Sequence, residues 1–323
     1  FTPFVSEGFD LSLCLLDYPR EDLCDQSTWG GAERGFIRAI RDTGTKGAVL
    51  ATFSDTISEP VAARLIQQGV APLAGIDAGL AGVQAAVDVG DAWRRSPCQP
   101  SLASTGHGDD EQIVVLDEAE SKALLDVCGV PVPPAKVVRG VEEAVAAAEE
   151  LGYPVVVKAL GVAHKTEAGG VRLNLGNADQ VSAALAEMSD LSETHLIEKM
   201  VDGIVAELIV GVSVDEQFGP YLLIGGGGIL VEMIKDSRSL LLPIDRAWVI
   251  QAMEALQCAP LFHGFRGRPN ADLSAAADAI LAIAEYVEKG ATPIVELDVN
   301  PLMILEDGRG VVAADALIRT REP

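Results

Sequence analysis

The chain has 323 residues, of which 49% are hydrophobic, and its 48 acidic side chains outnumber its 24 basic ones. This length accommodates two or three domains of ordinary size, each able to bury a core. The formal net charge of −24 argues against nucleic acids and anionic membranes as partners, because both are polyanions. The longest stretch of apolar residues and glycine, 221–231, is too short to span a bilayer, which needs about 20 residues.

The cysteines and the N-terminus indicate a cytoplasmic protein. The five cysteines are scattered, and no two have the spacing of a zinc or redox site, so we expect free thiols. The chain begins at Phe1 without a basic and apolar signal segment. We therefore expect a cytoplasmic location and a chain that is a cut or processed form of a longer one.

Residues 1–95 alternate short apolar runs with amphipathic stretches. The predicted strands are 11–16, 47–53 and 71–74, and the predicted helices are 29–41, 59–68 and 78–95. Alternation at this spacing favours parallel strands covered by helices. Three strands are few for an independent doubly wound domain, so this block is predicted to be part of one.

Residues 96–113 are rich in Pro, Ser, Gly and charge without periodicity, which is typical of a linker. A second domain is predicted from residue 114, with a first helix at 118–128 that buries Ala123, Leu124 and Val127. In this domain neighbouring strands often follow one another without a helix, which favours an α+β arrangement with antiparallel pairing.

A basic segment with a double glycine is the first candidate for chemistry. Lys158 ends a predicted apolar strand, where a buried ammonium is costly unless it is paired. Residues 164–171 then read His-Lys-Thr-Glu-Ala-Gly-Gly-Val. Gly169 and Gly170 would let backbone N–H groups approach phosphate oxygens, and Lys165 would supply a point charge. We interpret the segment as a phosphate-covering loop; the alternatives are a simple hairpin and a lysine that reaches solvent at the strand edge.

Three further segments could contact a ligand. In the strand predicted at 195–200, the backbone could mimic a base edge for adenine, with Glu198 accepting from its exocyclic amine. Glu207, in the next strand, is a candidate for ribose hydroxyls. The four glycines at 225–228 suit close approach of the backbone to a ligand. The alternatives are a solvated strand face and a flexible turn.

Oxygen-bearing side chains accumulate near the C-terminus. Glu296, Asp298 and Asn300 alternate along one apolar strand and are predicted to share a face. Asp315, on the next apolar strand, would bring a carboxylate alongside. Mg²⁺ prefers oxygen ligands and usually keeps waters and substrate phosphates. The pattern therefore predicts a magnesium site; the alternative is a turn, which Asn followed by Pro favours.

Taken in order, these motifs resemble the ATP-grasp domain of the ADP-forming acyl-CoA synthetases, which are relatives of the succinyl-CoA synthetase β subunit. The motifs that carry the resemblance are Lys158, the loop at 164–171, the segment 198–200, the glycines 225–228 and the pair Asn300 and Asp315. Residues 1–95 look like the tail of the succinyl-CoA-ligase-like flavodoxin domain found in fused members. The resemblance implies a partial flavodoxin-like parallel α/β domain (1–95), a linker (96–113) and an ATP-grasp domain (114–323).

The resemblance also implies a reaction in which a carboxylic acid, ATP and CoA give acyl-CoA, ADP and phosphate. His164 would be the second histidine of a phosphohistidine relay, and Asn300 and Asp315 would hold Mg²⁺. The residues that would contact ATP are Lys158, Lys165, Gly169, Gly170, Glu198, Met200, Glu207, Gly226 and Gly227. Many members have an arginine closer to the proline that ends the stretch 235–243, so the resemblance leaves the phosphate role of Arg238 open.

The relay needs parts that this sequence lacks. Residues 1–106 contain no histidine, and no CoA-binding Rossmann domain is present, so we expect a CoA-binding domain on the same or another chain, and a homo-oligomer. Two other functions stay open: a different ATP-grasp ligase, such as a biotin-dependent carboxylase subunit, and a nucleotide-binding regulatory module of an acyltransferase. The carboxylic acid also stays open among acetate, branched acids and aromatic acids such as ferulate.

Overall fold

The computed structural model describes residues 1–20, 22–25, 27–94, 113–162, 168–228, 236–289 and 294–321. The chain divides into two compact units, Phe1–Pro97 and Cys98–Pro323. The predicted fold class is confirmed, because a parallel three-stranded sheet is followed by two antiparallel sheets of four and seven strands. No helix within the described ranges is long and apolar enough to cross a membrane.

The first unit is a parallel sheet of order β1-β2-β3 with helices between the strands. Its elements are α1 (Thr2–Val5), β1 (Ser12–Leu15), α2 (Ser27–Thr43), β2 (Gly47–Ala51), α3 (Glu59–Gln67), β3 (Ala71–Ala74) and α4 (Ile76–Arg94). The central strand β2 is buried along its whole length, which explains its unbroken apolar sequence. Helix α2 is amphipathic and packs Phe36, Ile37 and Ile40 into the core of this unit. The predicted alternation of strands and helices is confirmed, and the assignment to a flavodoxin-like domain stays a prediction.

The second unit contains the two antiparallel sheets. Its helices are α5 (Glu118–Val127), α6 (Val141–Leu151), α7 (Ala178–Glu187), α8 (Arg246–Glu254) and α9 (Leu273–Lys289). Its strands are β4 (Ile113–Leu116), β5 (Ala135–Val138), β6 (Val155–Ala159), β7 (Val171–Leu175), β8 (His195–Lys199), β9 (Ile204–Asp215), β10 (Gly219–Gly226), β11 (Ser237–Leu241), β12 (Ile294–Leu305), β13 (Val311–Ala313) and β14 (Ala316–Arg321). The smaller sheet has the order β5-β8-β6-β7, and the larger has the order β11-β10-β9-β12-β14-β4 with β13 paired to β12.

Each of these sheets has one face buried in its own core. The smaller sheet packs against α6 and α7 through residues such as Val157 and Ile197. The larger sheet packs against α8 and α9, and strand β9 shows the resulting alternation, with Val210 and Val212 buried and Gly211 only partly covered. The other face of the larger sheet is therefore partly open, and this open face carries several of the candidate site residues.

Two local predictions were wrong. Helix α5 buries Glu118, Ser121, Lys122 and Leu125, whereas Val127 is exposed, because the helix turns a partly charged face inward. Helix α7, capped by Asn177, joins β7 to β8, where no helix was predicted. Strand β12 continues past Asn300 and Pro301 with a register shift, so the alternative of a turn at this point is excluded.

The linker predicted at 96–113 lies outside the described residues except for Ile113, which already belongs to β4. The glycines at 225–228 form a loop only in part, because the first two belong to β10.

Candidate active site

Four buried charged side chains from α5, β6 and β8 form a lysine–glutamate cluster: Glu118, Lys122, Lys158 and Glu198. Nζ of Lys158 lies 2.6 Å from Oε1 of Glu118 and 2.7 Å from Oε2 of Glu198. Nζ of Lys122 lies 2.8 Å from Oε1 of Glu118 and also contacts the carboxylate of Glu198. Two ammonium groups and two carboxylates balance one another, and this pairing makes their burial tolerable.

Lys158 connects the two sheets of the second unit. Its strand, β6, belongs to the smaller sheet, yet its Nζ donates a hydrogen bond of 2.7 Å to the main-chain carbonyl of Ala314, which lies between β13 and β14. Lys158 therefore stands where the ends of the two sheets meet.

The surroundings fix the charge of Lys158. Burial disfavours its charged form, but the carboxylates of Glu198, Glu118 and Asp315 outweigh burial and raise the pKa of Lys158 above its usual value. Burial, followed by repulsion from Lys158, lowers the pKa of Lys122. Lys158 is thus a permanent cation in a dry position, which is the property required of a group that binds phosphate oxygens.

The segment predicted to bind adenine is already bonded to its neighbours. The N–H of Met200 donates to the carbonyl of Pro154 at 3.1 Å, and Nζ of Lys199 donates to the carbonyls of Gly152 and Tyr153. The carboxylate of Glu198 is held by the two lysines of the cluster. The assignment of Glu198 and Met200 to adenine stays a prediction.

The structure brings Glu207 and the glycine run together. Gly226 pairs with Leu208 across β9 and β10, and the N–H of Gly227 donates to the carbonyl of Glu207 at 2.7 Å. A Cβ added at Gly227 would lie 2.7 Å from Cβ of Glu207 and 2.9 Å from its carbonyl oxygen, closer than packed atoms approach. Gly228 has φ +94°, a conformation that favours glycine. Glycine is therefore required for the chain to close over Glu207.

Carboxylates converge near the predicted metal residues. On β12, Glu296 faces Ser213 and Asp298 faces Gly211, so both lie on the open face of the larger sheet. Burial, followed by the charges of Asp315 and Glu296, raises the pKa of Asp298. The backbone N–H of Asn300 donates to the carbonyl of Asp315 at 3.2 Å, so the two predicted metal residues are adjacent.

These donors fit a magnesium ion. Asp298 ionises reluctantly beside the other carboxylates, and a divalent cation would relieve that repulsion. Within the described ranges there is no group of three His, Cys, Asp or Glu residues with the geometry of a metal site. The carboxylates of Asp298 and Asp315 and the amide of Asn300 would supply three oxygen ligands and would leave coordination positions for water and phosphate oxygens.

The double glycine lies directly beside the end of β6. The carbonyl of Gly170 accepts a 2.8 Å bond from the N–H of Ala159, the residue after Lys158, and Nη1 of Arg172 donates to the carbonyl of Gly169 at 2.7 Å. These bonds tie the end of the predicted phosphate loop to the strand that carries Lys158.

His164 and Lys165 lie outside the described residues, so their roles stay predictions. Arg238 is described, and its Nη2 donates to the carbonyl of Ala255 at 2.6 Å while Nη1 lies 3.8 Å from the carboxylate of Asp236. These contacts tie β11 to the end of α8.

Sequence reasoning missed Glu118 and Lys122. Their spacing of four residues in the first turns of α5, after the N-cap Asp117, is typical of an exposed helical ion pair. The available signal was indirect: a lysine at the end of a buried strand, such as Lys158, needs a carboxylate partner, and Glu118 is one.

The second unit is similar to known proteins. The family model of the ATP-grasp domain matches residues 109–320. A trans-feruloyl-CoA synthase from an unknown prokaryotic organism is 38% identical over 214 residues, which cover 63% of this chain and 30% of that protein. The beta subunit of acetate–CoA ligase [ADP-forming] I from Pyrococcus furiosus is 34% identical over 211 residues, covering 62% of this chain and 90% of that subunit.

A solved structure is similar over the same part of the chain. It is the dinucleotide forming acetyl-coenzyme A synthetase 1 of Ca. Korarchaeum cryptofilum in complex with coenzyme A, Ca-AMPCP and HgCl⁺, with a TM-score of 0.59 and 28% identity over 66% of this chain and 95% of that chain.

The match over residues 109–320, which contain the two antiparallel sheets and the buried Lys158, defines the class: the chain belongs to the ATP-grasp domain family. Within this class, its resemblance to ADP-forming acyl-CoA synthetases is confirmed by relatives that are named acetate–CoA ligases [ADP-forming]. The chain spans about 30% of the length of the trans-feruloyl-CoA synthase and of the acetate–CoA ligase [ADP-forming] I from Archaeoglobus fulgidus that it matches.

Proposed function

We propose that this chain is the ATP-handling part of an ADP-forming acid–CoA ligase. The complete reaction would convert a carboxylic acid, ATP and CoA into acyl-CoA, ADP and phosphate. The observation that carries the proposal is the position of Lys158, whose Nζ contacts Glu118, Glu198 and the carbonyl of Ala314 and lies in the field of Asp315. This position supports a site in which a phosphate-binding cation and the proposed metal ligands meet.

The described residues would bind and orient the nucleotide. Lys158 and Lys122 would interact with phosphate oxygens. These oxygens would take over part of the ion pairing that Glu118 and Glu198 provide to the two lysines. Glu207 and the glycine run would line the ribose side. Mg²⁺, held by Asp298, Asn300 and Asp315, would neutralise charge on the phosphate oxygens when bound.

The chemical step would be a phosphoryl transfer to His164. A neutral imidazole nitrogen would attack the γ-phosphorus, the bond from that phosphorus to the bridging oxygen would break, and ADP would leave with the electron pair. The imidazole proton would pass to solvent. Phosphohistidine stores the phosphoryl group, so one difficult transfer becomes two easier ones.

The second transfer would need a CoA-binding domain, on the same or another chain. Two Pyrococcus furiosus relatives are named as beta subunits, which supports a division of such ligases between chains. A homo-oligomer and a cytoplasmic location, where ATP and CoA are available, complete the proposal. Sedimentation of the purified chain, alone and with its partner, tests the oligomer.

The decisive experiment is phosphopeptide mass spectrometry after incubation of the chain with ATP and Mg²⁺. We expect phosphate on His164 with one ADP released for each phosphohistidine, and loss of both in His164→Asn and Lys158→Met. Lys46→Met is the matched control, because Lys46 is exposed and belongs to the first unit. Binding of ATP without phosphorylation of His164 would contradict the ligase and favour a regulatory nucleotide-binding module.

The acid is tested separately with the chain and its CoA-binding partner. Formation of ADP in the presence of CoA would be compared for acetate, a branched acid and ferulate. Repeated turnover of ATP without CoA, beyond the one ADP expected for each phosphohistidine, would contradict an acid–CoA ligase and favour another ATP-grasp ligase.

A further inference from the structure

Four arginines line a groove between α2 and α3 in the first unit. Arg34, Arg38 and Arg41 lie on α2, and Arg64 lies opposite them on α3. The groove has a volume of about 600 Å³. Small-molecule sites in proteins occupy roughly 300–1,000 Å³, so this basic groove has the size of a ligand site.

The charge of the groove is opposite in sign to the net charge of the chain. The protein has a net charge of −24, and residues 1–97 contain only eight basic side chains, four of which line this groove. Like charges at this spacing repel one another, and this raises the free energy of the empty groove. Half of the basic side chains of residues 1–97 therefore lie around this groove, and a bound anion would offset their mutual repulsion.

The basic groove is rigid at one wall. Nε and Nη2 of Arg64 donate to the two carboxylate oxygens of Glu33 at 2.8 and 2.9 Å, and the hydroxyl of Tyr18 donates to Glu33 at 2.7 Å. Glu33 is buried, and the hydrogen bonds from Arg64 lead the effects that lower the pKa of its carboxyl. The pair therefore stays charged and holds the guanidinium of Arg64 in place above the groove.

The opposite wall is a stripe of exposed arginines. Positions 34, 38 and 41 lie on one helical face, and the outer two are about 10 Å apart along the axis. Arg38 has an exposed partner in Asp42 at 3.5 Å, a weak surface pair. Within the described part of the chain, Arg34 and Arg41 form no ion pair, so their charge is available to a ligand.

We propose that the basic groove binds a small phosphorylated molecule with at least two phosphate groups. Guanidinium groups bind phosphate oxygens through two parallel hydrogen bonds, and a row of them matches a chain of phosphates better than a single carboxylate. The site lies in the first unit, so it differs from the ATP site of the second unit and does not depend on the proposed reaction. It gives the protein a second place at which a phosphorylated metabolite can bind.

Inorganic pyrophosphate is the probe, and hydrogen–deuterium exchange of the full chain locates its binding. We expect slower exchange in peptides from α2 and α3, and a dissociation constant of about 1 mM or below by calorimetry. The variant Arg34→Gln/Arg41→Gln should bind at α2 and α3 about tenfold more weakly or worse, because it loses two charge-assisted contacts. Both arginines are exposed, so the variant should keep the wild-type melting temperature.

The matched control is Arg20→Gln/Arg94→Gln, which removes two exposed positive charges from the same unit outside the groove. It should retain wild-type affinity and protection. An equal loss of pyrophosphate affinity in both double variants would mean that only net charge matters, and this would overturn the proposal. Absence of protection in α2 and α3 would overturn it too, as would binding of a short polyglutamate peptide there in place of pyrophosphate.

Discussion

Replacing Lys158 by methionine should strongly destabilise the second unit. Methionine keeps most of the apolar stem but removes the ammonium, so the lysine–glutamate cluster changes from neutral to a net charge of −1. Lys122 is then the one remaining cation of the cluster for Glu118 and Glu198, and the carbonyl of Ala314 loses the hydrogen bond from Lys158.

The contacts of Lys158 set the magnitude. Its Nζ makes charge-assisted contacts of 2.6 and 2.7 Å with two carboxylates and a 2.7 Å bond to a carbonyl, all in a buried position. Removing one partner of a buried ion pair costs about 3–5 kcal/mol, mostly because the remaining charge is left uncompensated. The double variant Lys158→Met/Glu118→Gln restores neutrality, so it should cost less than the sum of its single variants by up to about 3 kcal/mol.

The assay is urea unfolding followed by tryptophan fluorescence. Trp248 reports on the second unit once Trp29 and Trp93, both in the first unit, are replaced by phenylalanine. Lys46→Met in the same background is the control and should change the free energy of unfolding by no more than about 0.5 kcal/mol. A cost below about 1 kcal/mol for Lys158→Met, or strict additivity in the double variant, would refute the claim of an interdependent buried cluster.

Three further variants test separate features. Gly227→Ala should lower the free energy of unfolding by about 1–3 kcal/mol and weaken ATP binding, because its Cβ would collide with Glu207. Gly82→Ala, in open space on α4, is the control and should raise the free energy of unfolding by up to about 1 kcal/mol. Thermal melting measures the stabilities, and calorimetry measures ATP binding. The pKa of Asp298 is raised, so its ionised form destabilises the ion-free protein at pH values above its usual pKa of 3.8. Asp298→Asn should therefore raise the melting temperature at pH 7 and weaken Mg²⁺-dependent ATP binding. A lowered melting temperature would contradict this. Burial lowers the pKa of His195, and both of its ring nitrogens are buried without a hydrogen-bond partner among the described residues. The unfolded state therefore binds the proton first, and stability falls as the pH drops below about 6.5. His195→Leu should lessen this loss in unfolding measured from pH 7 to 5, and an unchanged slope would contradict it.

The strands of the site were largely predictable because their signal is local. The apolar run before Lys158 and the alternation of Glu296 and Asp298 each belong to one strand, and burial of one sheet face imposes that pattern on the sequence. The resemblance added the order of the motifs, and with it the association of Asn300 on β12 with Asp315, which lies between β13 and β14.

The partners of Lys158 were not predictable in the same way. Glu118 lies 40 residues before Lys158, and Lys122 follows Glu118 by four residues; both lie on a helix whose apolar face was predicted to include Val127. Which face turns inward depends on the charges that meet it, and those charges come from strands that the helix pattern cannot reveal. The register shift after Val299 has the same origin, because an unpaired residue in β12 is defined only by its partner strand.

The lysine–glutamate cluster also affects how readily Lys158 could be acylated. An enzyme that makes acyl thioesters exposes its own amines to them, and only a neutral, accessible amine attacks a thioester. Lys158 is buried and its pKa is raised, so it is both hidden and protonated. In the proposed ligase, the burial and pairing that keep Lys158 charged would also protect it from acylation, and modification should fall on exposed lysines such as Lys46 and Lys289.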